Sequence, residues 1–439
     1  MAVKIHKFAT RALAVCSAAY ILAVVGSPAA ALDLGTFESM DSGARAALEK
    51  HDYKTALAGF QALLKISPDH PDILLGRAHS EAGLGKSDEA YRDFERIVRQ
   101  GLGAELPQDT AFLNLHNHAG YSTVLAEAQD QSRPIVNAQA MFTLPERDFI
   151  PEGMAYDATT LRFFFSSTYL RKIVSRSSAG IFDVFASADK GLWQALGMKI
   201  DSQHGWLLAC SGADSPNMTG FQKSDIGKSG VFIFDLKSGK LVARYDAPPQ
   251  GIHLFNDLVI GPRNDVYITD SDEGSVYKLD LAGRRITRLT AVNTFLYPNG
   301  IALSPDGSNL YVADEGVGID LVNLQTGAVR RLPHPEDITT VGIDGLYFYK
   351  GYLIATQTDL HPNRVIAFQL SPDLEEIIGS TVIERGDPRM SSPTEGVVVG
   401  DSLYFIANSE QNSFDQHGHI WPNSKLTNTQ ILKVALPDN

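Results

Sequence analysis

The feature that most constrains this chain is a strand pattern that recurs from about residue 135 to the C-terminus. Short runs alternate apolar and polar residues with a period of two, and clusters rich in Gly, Asp, Asn and Ser separate these runs. Leucines in the outer hairpins lie 45, 43 and 46 residues apart, at Leu236, Leu281, Leu324 and Leu370. A unit of this length accommodates four short strands, which make one blade of a β-propeller.

A second series of positions marks the start of the innermost strand of each unit. These positions are separated by 44, 60, 43, 45 and 51 residues, which gives six units. We therefore predict a mainly β fold with a six-bladed β-propeller, in which radial repetition protects the edges of the sheets. The six positions are Glu152, Leu196, Asn256, Asn299, Asp344 and Glu395.

Closure of the ring requires one blade built from both ends of the propeller segment. The C-terminal run ILKVAL leaves the last unit one strand short, whereas the run from Ile135 to Leu144 is an extra strand before the first unit. We expect these two segments to pair.

The segment before the propeller has a helical pattern that repeats every 34 residues. Ala56 aligns with Ala90 and Phe60 with Phe94 at this spacing, and Pro68 falls between the two repeats, where a helix must stop. The pattern resembles tetratricopeptide repeats, which are helix-turn-helix units of the same period. The alternative is an ordinary helical cap on the propeller.

The first 31 residues indicate export. A basic start precedes the apolar run from Ala12 to Gly26, and Ala29 and Ala31 have the small-residue spacing that signal peptidase requires. We predict a signal peptide over residues 1–31, a helical domain over 32–131 and a propeller over 135–439, in a periplasmic or secreted protein. The apolar run is shorter than the ~20 residues of a membrane-spanning helix, so no membrane association is expected after cleavage.

The charge of the chain excludes polyanionic partners. The net charge is −13, and it becomes −16 when Lys4, Lys7 and Arg11 of the leader are removed. Nucleic acid and anionic membranes are therefore not expected to bind, because such binding depends on a positive field. The sequence also contains no GxSxG nucleophile elbow, no GxxxxGK[ST] phosphate loop and no CxxC motif.

Four of the six inner-strand positions, all but Leu196 and Glu395, are predicted to supply oxygen ligands. Because every inner strand borders the channel, its first side chains should converge at one mouth. Two carboxylates and two carboxamides form an oxygen cage of charge −2, which suits Ca²⁺ better than Zn²⁺, although another divalent ion could bind. The alternative is that Asn and Asp before Gly only form turns. The predicted metal ligands are Glu152, Asn256, Asn299 and Asp344.

The segments around these positions resemble a known family. The runs PEGMAYD, FNDLVIGPRNDVYITDS, PNGIALSPDGSNLYVADE and IDGLYF are similar to signatures of the senescence-marker-protein/gluconolactonase superfamily, which includes paraoxonases and squid-type phosphofluoridases. The resemblance implies one divalent ion on the same four residues and hydrolysis of lactones, aryl esters or phosphotriesters. Leu254 stands where sugar-binding members carry Arg, so a sugar-acid lactone is not implied.

Three residues are candidates for the catalytic step. Asp344 could direct a water molecule, and His253, three residues before Asn256, could act as a general base or be a solvated loop residue. Glu395 could contact the ion, support a ligand or contact the substrate. These residues predict an exported Ca²⁺-dependent hydrolase of a small lactone or ester. The alternative is a noncatalytic propeller scaffold with a structural Ca²⁺ and helical repeats that bind a partner protein.

Overall fold

The computed structural model describes residues 33–415 and 418–438. A helical segment comes first and β-strands follow. The predicted signal peptide lies outside the described residues. Within the part of the chain that is described, no helix is long and apolar enough to cross a membrane.

Local sequence signals account for the helix starts. Asp33 and Asp52 accept backbone N–H groups of Thr36 and Thr55 at 2.8 and 3.2 Å, and a proline begins the third helix. Consecutive helices pack on each other through the first four. The helices are α1 (Leu34–Glu49), α2 (Tyr53–Leu63), α3 (Pro71–Gly83), α4 (Ser87–Arg99) and α5 (Tyr121–Gln131), with 3₁₀ helices at Leu106–Gln108 and Thr110–Asn117.

The 34-residue period is present in the helix positions. The helices α2, α4 and α5 begin 34 residues apart. Phe60, Phe94 and Ala128 occupy the same place in these three helices, and all three side chains are fully buried. The period therefore extends to a third helix, in which alanine replaces the aromatic residue, while the resemblance to tetratricopeptide repeats stays a prediction.

The remaining chain forms six four-stranded antiparallel sheets, which confirms the six-bladed propeller. The innermost strands of neighbouring blades contact each other around the ring. From the inner to the outer strand, blade 1 is β2 (Pro151–Asp157), β3 (Arg162–Ser167), β4 (Lys172–Arg176) and β5 (Phe182–Ala186); blade 2 is β6 (Gln194–Asp201), β7 (Trp206–Gly212), β8 (Ser229–Asp235) and β9 (Leu241–Asp246); blade 3 is β10 (Phe255–Ile260), β11 (Asp265–Asp270), β12 (Ser275–Asp280) and β13 (Arg285–Arg288); blade 4 is β14 (Pro298–Leu303), β15 (Asn309–Asp314), β16 (Gly318–Asn323) and β17 (Val329–Arg331); blade 5 is β18 (Ile343–Tyr349), β19 (Tyr352–Gln357), β20 (Arg364–Leu370) and β21 (Ile377–Arg385).

Blade 6 closes the ring with strands from both ends of the propeller, as predicted. Its inner strands are β22 (Gly396–Val399), β23 (Ser402–Ile406) and β24 (Gln430–Ala435), and its outermost strand is β1 (Gln139–Thr143). The strands β1 and β24 are antiparallel, and the backbone N–H of Leu144 donates to Thr429 O at 2.9 Å just beyond them. The pairing leaves neither terminal strand of the propeller without a partner.

A β-bulge interrupts the inner strand of each of blades 1 to 5, at the position that the repeat analysis selected. A bulge places two residues opposite one and turns a side chain away from its regular direction. Glycine follows four of the five positions because the next inner strand passes close by. A Cβ on Gly153 would lie 2.5 Å from Leu196 O, and one on Gly300 would lie 2.4 Å from Asp344 O. The motif is therefore a bulge inside a strand and not a turn.

The helical segment packs on the mouth of blades 4 and 5. One apolar cluster joins helical residues such as Phe37 to Leu296, Val317, Val341 and Leu360 of the propeller. All four propeller residues belong to loops that precede an inner strand or follow a second strand. The helices therefore lie at the same end of the channel as the predicted metal ligands.

Candidate metal centre and active site

The four predicted ligands lie in inner strands of blades 1, 3, 4 and 5, each as the second residue of its strand. Their exposed fractions are small. The values are 4% for Glu152, 3% for Asn256, 6% for Asn299 and 8% for Asp344. Strand order and burial thus bring two carboxyl and two carboxamide groups to one end of the channel.

The asparagine side chains are oriented with their oxygens free. The Asn256 amide Nδ2 donates to Ser271 Oγ at 3.0 Å. The Asn299 side chain lies near the carboxyls of Glu315 and Asp344 and acts to lower the pKa of both. Asn256 Oδ1, Asn299 Oδ1 and Asp344 Oδ1 are buried without a hydrogen-bond partner. Buried oxygens without partners are costly, and a cation would satisfy all three.

The donor set fits a hard divalent cation. All four side chains offer oxygen, and two of them are carboxylates, which is the ligand chemistry of Ca²⁺ and Mg²⁺. Glu152, Asn256, Asn299 and Asp344 could together hold such an ion, and none of them offers the nitrogen or sulfur that Zn²⁺ prefers.

Burial and mutual repulsion act against the charged form of both carboxyls. Burial raises the pKa of Glu152 to about 8, and the negative charge of Asp257 contributes in the same direction. Burial also raises the pKa of Asp344 well above its usual range, with a further contribution from the charge of Glu152. A divalent cation would reverse both effects, because an opposite charge favours the ionised form.

Blade 2 contributes no ligand. Its equivalent residue, Leu196, is buried in an apolar cluster at 6% exposure. The loop of residues 213–228 follows the second strand of this blade, and Pro216 and Asn217 in it lie against Gly418 of the long blade 6 loop. The two loops therefore contact each other.

The blade 6 loop also reaches a ligand directly. The Gln411 amide Nε2 donates to Glu152 Oε2. Sequence reasoning missed this residue because it lies in a loop of irregular length, outside the blade repeat. Its amide contacts the ligand that begins blade 1, so the loop of blade 6 closes part of the mouth.

Glu395 lies at the sixth position, directly before the inner strand of blade 6. Its side chain has 0% exposure, and neither carboxyl oxygen has a hydrogen-bond partner. Burial raises the pKa of Glu395, as does the charge of Asp257, while the positive charge of Lys199 acts in the opposite direction. Lys199 Nζ lies 2.8 Å from Asp257 Oδ1. Periodicity in the sequence does not indicate this ion pair.

His253 is held by hydrogen bonds on both ring nitrogens. Nδ1 lies 2.6 Å from Asp270 Oδ2, Nε2 lies 2.8 Å from Gln250 O, and the residue is 1% exposed. Burial acts to lower the pKa of His253, but the hydrogen bond and charge of Asp270 outweigh it, so the pKa is raised. This environment is not the solvated loop considered above, and it leaves no ring nitrogen available to a water at the mouth.

His253, Asp270 and Glu273 place possible ligand atoms within 4.8 Å of one another. The Glu273 carboxylate is, however, paired with Arg288 and accepts hydrogen bonds from Ser275 Oγ and Tyr277 Oη, both at 2.7 Å. This group is a satisfied hydrogen-bond network, in contrast to the free oxygens at the mouth.

A further set of acidic residues surrounds the mouth, and sequence reasoning missed it. Each member follows the second strand of blades 2 to 5 by one or two residues, which is a readable position in the repeat. Glu315 is hydrogen-bonded to Asp359 and to Asn299. The set, here named the acidic rim, consists of Asp214, Asp272, Glu315 and Asp359.

Residues 150–318 match the family model described as SMP-30/Gluconolactonase/LRE-like region. The match spans blades 1 to 3 and part of blade 4, and includes Glu152, Asn256 and Asn299. The resemblance drawn from the sequence motifs is therefore confirmed.

Curated relatives are similar over a shorter segment. An uncharacterized protein of Salmonella typhimurium, YncE, is 32% identical over 120 residues, which is 27% of this chain and 30% of that protein. Its counterpart in Salmonella typhi is 31% identical over the same length and covers the same shares of both chains. The matched segment thus spans less than a third of either relative.

Solved structures resemble the propeller at low identity. A gluconolactonase from Xanthomonas campestris is 17% identical with a TM-score of 0.47, covering 69% of this chain and 96% of its own. The calcium-binding protein regucalcin from Agrobacterium tumefaciens is 18% identical with a TM-score of 0.47. The match covers 69% of this chain and 95% of the regucalcin chain.

Proposed function

We propose that the protein is a divalent-metal-dependent hydrolase that acts on lactones or esters at the mouth of the propeller channel. The observation that carries this proposal is the convergence of three buried, unpartnered oxygens with the Glu152 carboxyl. The SMP-30/gluconolactonase/LRE-like region supports a lactonase-like activity. Ca²⁺ is the proposed ion because all donors are oxygen and their charge is −2.

When bound, the ion supplies Lewis-acid polarisation of the substrate carbonyl. Among the candidate bases, Asp344 is best placed, because its carboxyl belongs to the proposed ligand set whereas both nitrogens of His253 are engaged. The Asp344 carboxyl oxygen that does not hold the ion accepts a proton as the water oxygen bonds to the acyl carbon. The acyl carbon–oxygen bond of the lactone or ester then breaks, and the proton goes to the departing alkoxide oxygen.

Glu395 fits a supporting role better than a catalytic one. It is fully buried, and the charges of Asp257 and Lys199 act on its carboxyl. Its backbone N–H also donates to Glu152 O at 3.3 Å, which links blade 6 to blade 1. We assign Glu395 to positioning Glu152 and not to proton transfer.

The alternative function is a noncatalytic scaffold with a structural ion and a helical segment that binds a partner. One observation favours it: Gln411 occupies a Glu152 oxygen and closes part of the mouth. A hydrolase requires this loop to leave an open coordination position for the substrate carbonyl.

The decisive experiment is a hydrolysis screen over lactones, aryl esters and phosphotriesters in calcium and in chelator. The hydrolase proposal expects turnover of at least one lactone or ester that stops in chelator and returns with Ca²⁺. Gln411→Ala should maintain or increase this turnover. Tight Ca²⁺ binding without turnover of any substrate would favour the scaffold.

Export to the periplasm or the exterior is a further part of the proposal, and it rests on the leader of residues 1–31. The test is N-terminal sequencing of the protein recovered from cells. A mature protein that begins at Leu32 would support export with cleavage after Ala31, and an intact N-terminus in the cytoplasm would contradict it.

A further inference from the structure

Asp257 directly follows the proposed ligand Asn256, inside the β-bulge of blade 3. Its side chain is only 1% exposed. A buried carboxylate is costly unless charged or polar groups pair with it. Asp257 has such partners, and they come from three blades.

The Asp257 carboxylate holds the backbone that follows two of the bulges. Oδ1 accepts the N–H of Leu258 at 2.7 Å, and Oδ2 accepts the N–H of Ile301 at 3.4 Å. Leu258 is the first paired residue after the bulge of blade 3, and Ile301 is the first after the bulge of blade 4. These are the bulges that carry Asn256 and Asn299. One carboxylate therefore fixes the backbone at both amide ligands.

A threonine hydroxyl adds a second link between the same two blades. The N–H of Asp257 donates to Thr269 Oγ1 at 3.0 Å, and this hydroxyl donates to Asn299 O at 2.8 Å. Blade 2 approaches closely through a glycine, since a Cβ on Gly197 would lie 2.6 Å from Asp257 Oδ1. Blades 2, 3 and 4 thus meet at Asp257.

Blade 2 contributes a lysine to this meeting point. Lys199 Nζ lies 2.8 Å from Asp257 Oδ1. Burial acts to lower the pKa of Lys199, but the charges of Asp257 and Glu395 outweigh it, so the pKa is raised and the side chain stays cationic. The blade that offers no metal ligand therefore supplies the cation that pairs with Asp257.

We propose that Lys199 is a positioning residue of the metal centre, because its ammonium orients the carboxylate that fixes the two asparagine ligands. It acts through Asp257 and not by contact with the substrate. Groups that orient metal ligands typically change metal affinity by about 10- to 100-fold when they are removed. This inference rests on the metal centre of the proposed function.

The direction of the effect separates positioning from simple charge. Lys199 is a cation close to a cation site, so the loss of its charge alone would strengthen Ca²⁺ binding by removing repulsion. The loss of positioning would weaken Ca²⁺ binding instead. Lys199→Met removes the charge and keeps a long side chain, so its effect on affinity shows which of the two dominates.

The test is calorimetric titration of Ca²⁺ into the chelator-treated, full-length protein. We expect Lys199→Met to weaken Ca²⁺ binding about tenfold and Lys199→Arg, which keeps the charge, to restore most of the affinity. The matched control is Lys278→Met, because Lys278 also pairs with an aspartate at 2.8 Å. Its partner Asp265 begins the second strand of blade 3, at the end of the blade far from the mouth, so the affinity should not change.

A second variant guards against misfolding, because Lys199→Met leaves a buried carboxylate without its cation. The double variant Lys199→Met/Asp257→Asn removes both charges and keeps the net charge of the site. An amide has one acceptor oxygen in place of two, so it cannot accept the N–H groups of both Leu258 and Ile301. We expect this variant also to bind Ca²⁺ about tenfold more weakly than the wild type.

These titrations need no substrate, so they test the inference whether or not the protein hydrolyses an ester. Tighter binding in Lys199→Met, or wild-type affinity in the double variant, would overturn the positioning role while leaving the metal centre in place. Absence of Ca²⁺ binding in the wild-type protein would overturn the metal centre and the positioning role together.

Discussion

At the scale of single residues, the site depends on how two asparagine amides are held. Ser271 Oγ accepts from the Asn256 amide, the carboxyls of Glu315 and Asp344 lie near the Asn299 amide, and both amide oxygens are without hydrogen-bond partners. The β-bulge in each inner strand then directs these oxygens to the channel. Ligand geometry therefore comes from local backbone structure together with one partner for each amide.

The first prediction concerns the carboxylates. Glu152→Gln and Asp344→Asn keep side-chain volume and remove one negative charge from the cage, so each should weaken Ca²⁺ binding at least a hundredfold. Leu196→Ala, in the blade that offers no ligand, should leave the affinity unchanged. Calorimetric titration of the chelator-treated protein measures this, and wild-type affinity in both carboxylate variants would refute the assigned site.

The second prediction concerns pH. Without a divalent cation, burial raises the pKa of Glu152 from 4.5 to about 8, so the folded state binds more protons than the unfolded state between these values. The free energy of unfolding of the chelated protein should therefore fall as pH rises from about 5 to 8.

Thermal melts of the protein in chelator between about pH 5 and pH 8 test whether stability falls as pH rises. Glu152→Gln should make the melting temperature less dependent on pH. Saturating Ca²⁺ should stabilise the wild-type protein more at pH 8 than at pH 5. A melting temperature that rises with pH in chelator would contradict the burial argument.

At the scale of elements, the blade repeat explains what could be predicted from the sequence. Glu152, Asn256, Asn299 and Asp344 were chosen as candidate ligands because each lies at the start of an inner strand in phase with the others. The pairing of β1 with β24 was found because the last unit lacked one strand.

Other contacts had no sequence signal. Lys199 meets Asp257, and Gln411 meets Glu152, across large distances in sequence, and such pairs depend on loop paths that periodicity does not specify. Glu315 and Asp359 were readable in principle, because they recur after the second strands of blades 4 and 5. That position lies outside the inner-strand starts from which the candidate ligands were chosen.

The third prediction concerns the joint between α4 and blade 5. Arg364 is 1% exposed, and it donates through Nε to Gln357 Oε1 at 2.6 Å and through Nη1 to Gln100 O, at the end of α4, at 2.7 Å. Arg364→Met leaves both acceptors buried and unpaired, which should lower the free energy of unfolding by about 3 kcal/mol.

Urea denaturation measures the difference. The matched control is Arg330→Met, which breaks an exposed ion pair with Glu375 and should cost less than about 1 kcal/mol. An equal decrease in the free energy of unfolding in the two variants would show that Arg364 does not join α4 to blade 5.

At the scale of the whole molecule, helices and propeller share one apolar cluster around Phe37, Leu296 and Val341. A protein that begins at Ser132 keeps the strand β1 but exposes the propeller side of this cluster. We expect it to fold with a lower melting temperature and to bind a hydrophobic dye.

A protein that begins at Pro151 loses β1 and exposes the edge of β24, so it should aggregate. Sedimentation and dye binding compare the two truncated proteins with the full chain. Equal solubility and equal melting temperature in the full chain and both truncated proteins would contradict two claims. These are that β1 closes the ring by pairing with β24, and that helices and propeller share an apolar cluster.

The most direct test of the central claim is the initial rate of lactone or ester hydrolysis as a function of free Ca²⁺ set by a chelator buffer. The account predicts a rate that saturates with Ca²⁺, disappears in chelator, returns on readdition, and persists in Leu196→Ala but not in Glu152→Gln. A rate that is independent of Ca²⁺, or equal in Glu152→Gln and the wild type, would contradict the assignment of this channel mouth as a metal-dependent active site.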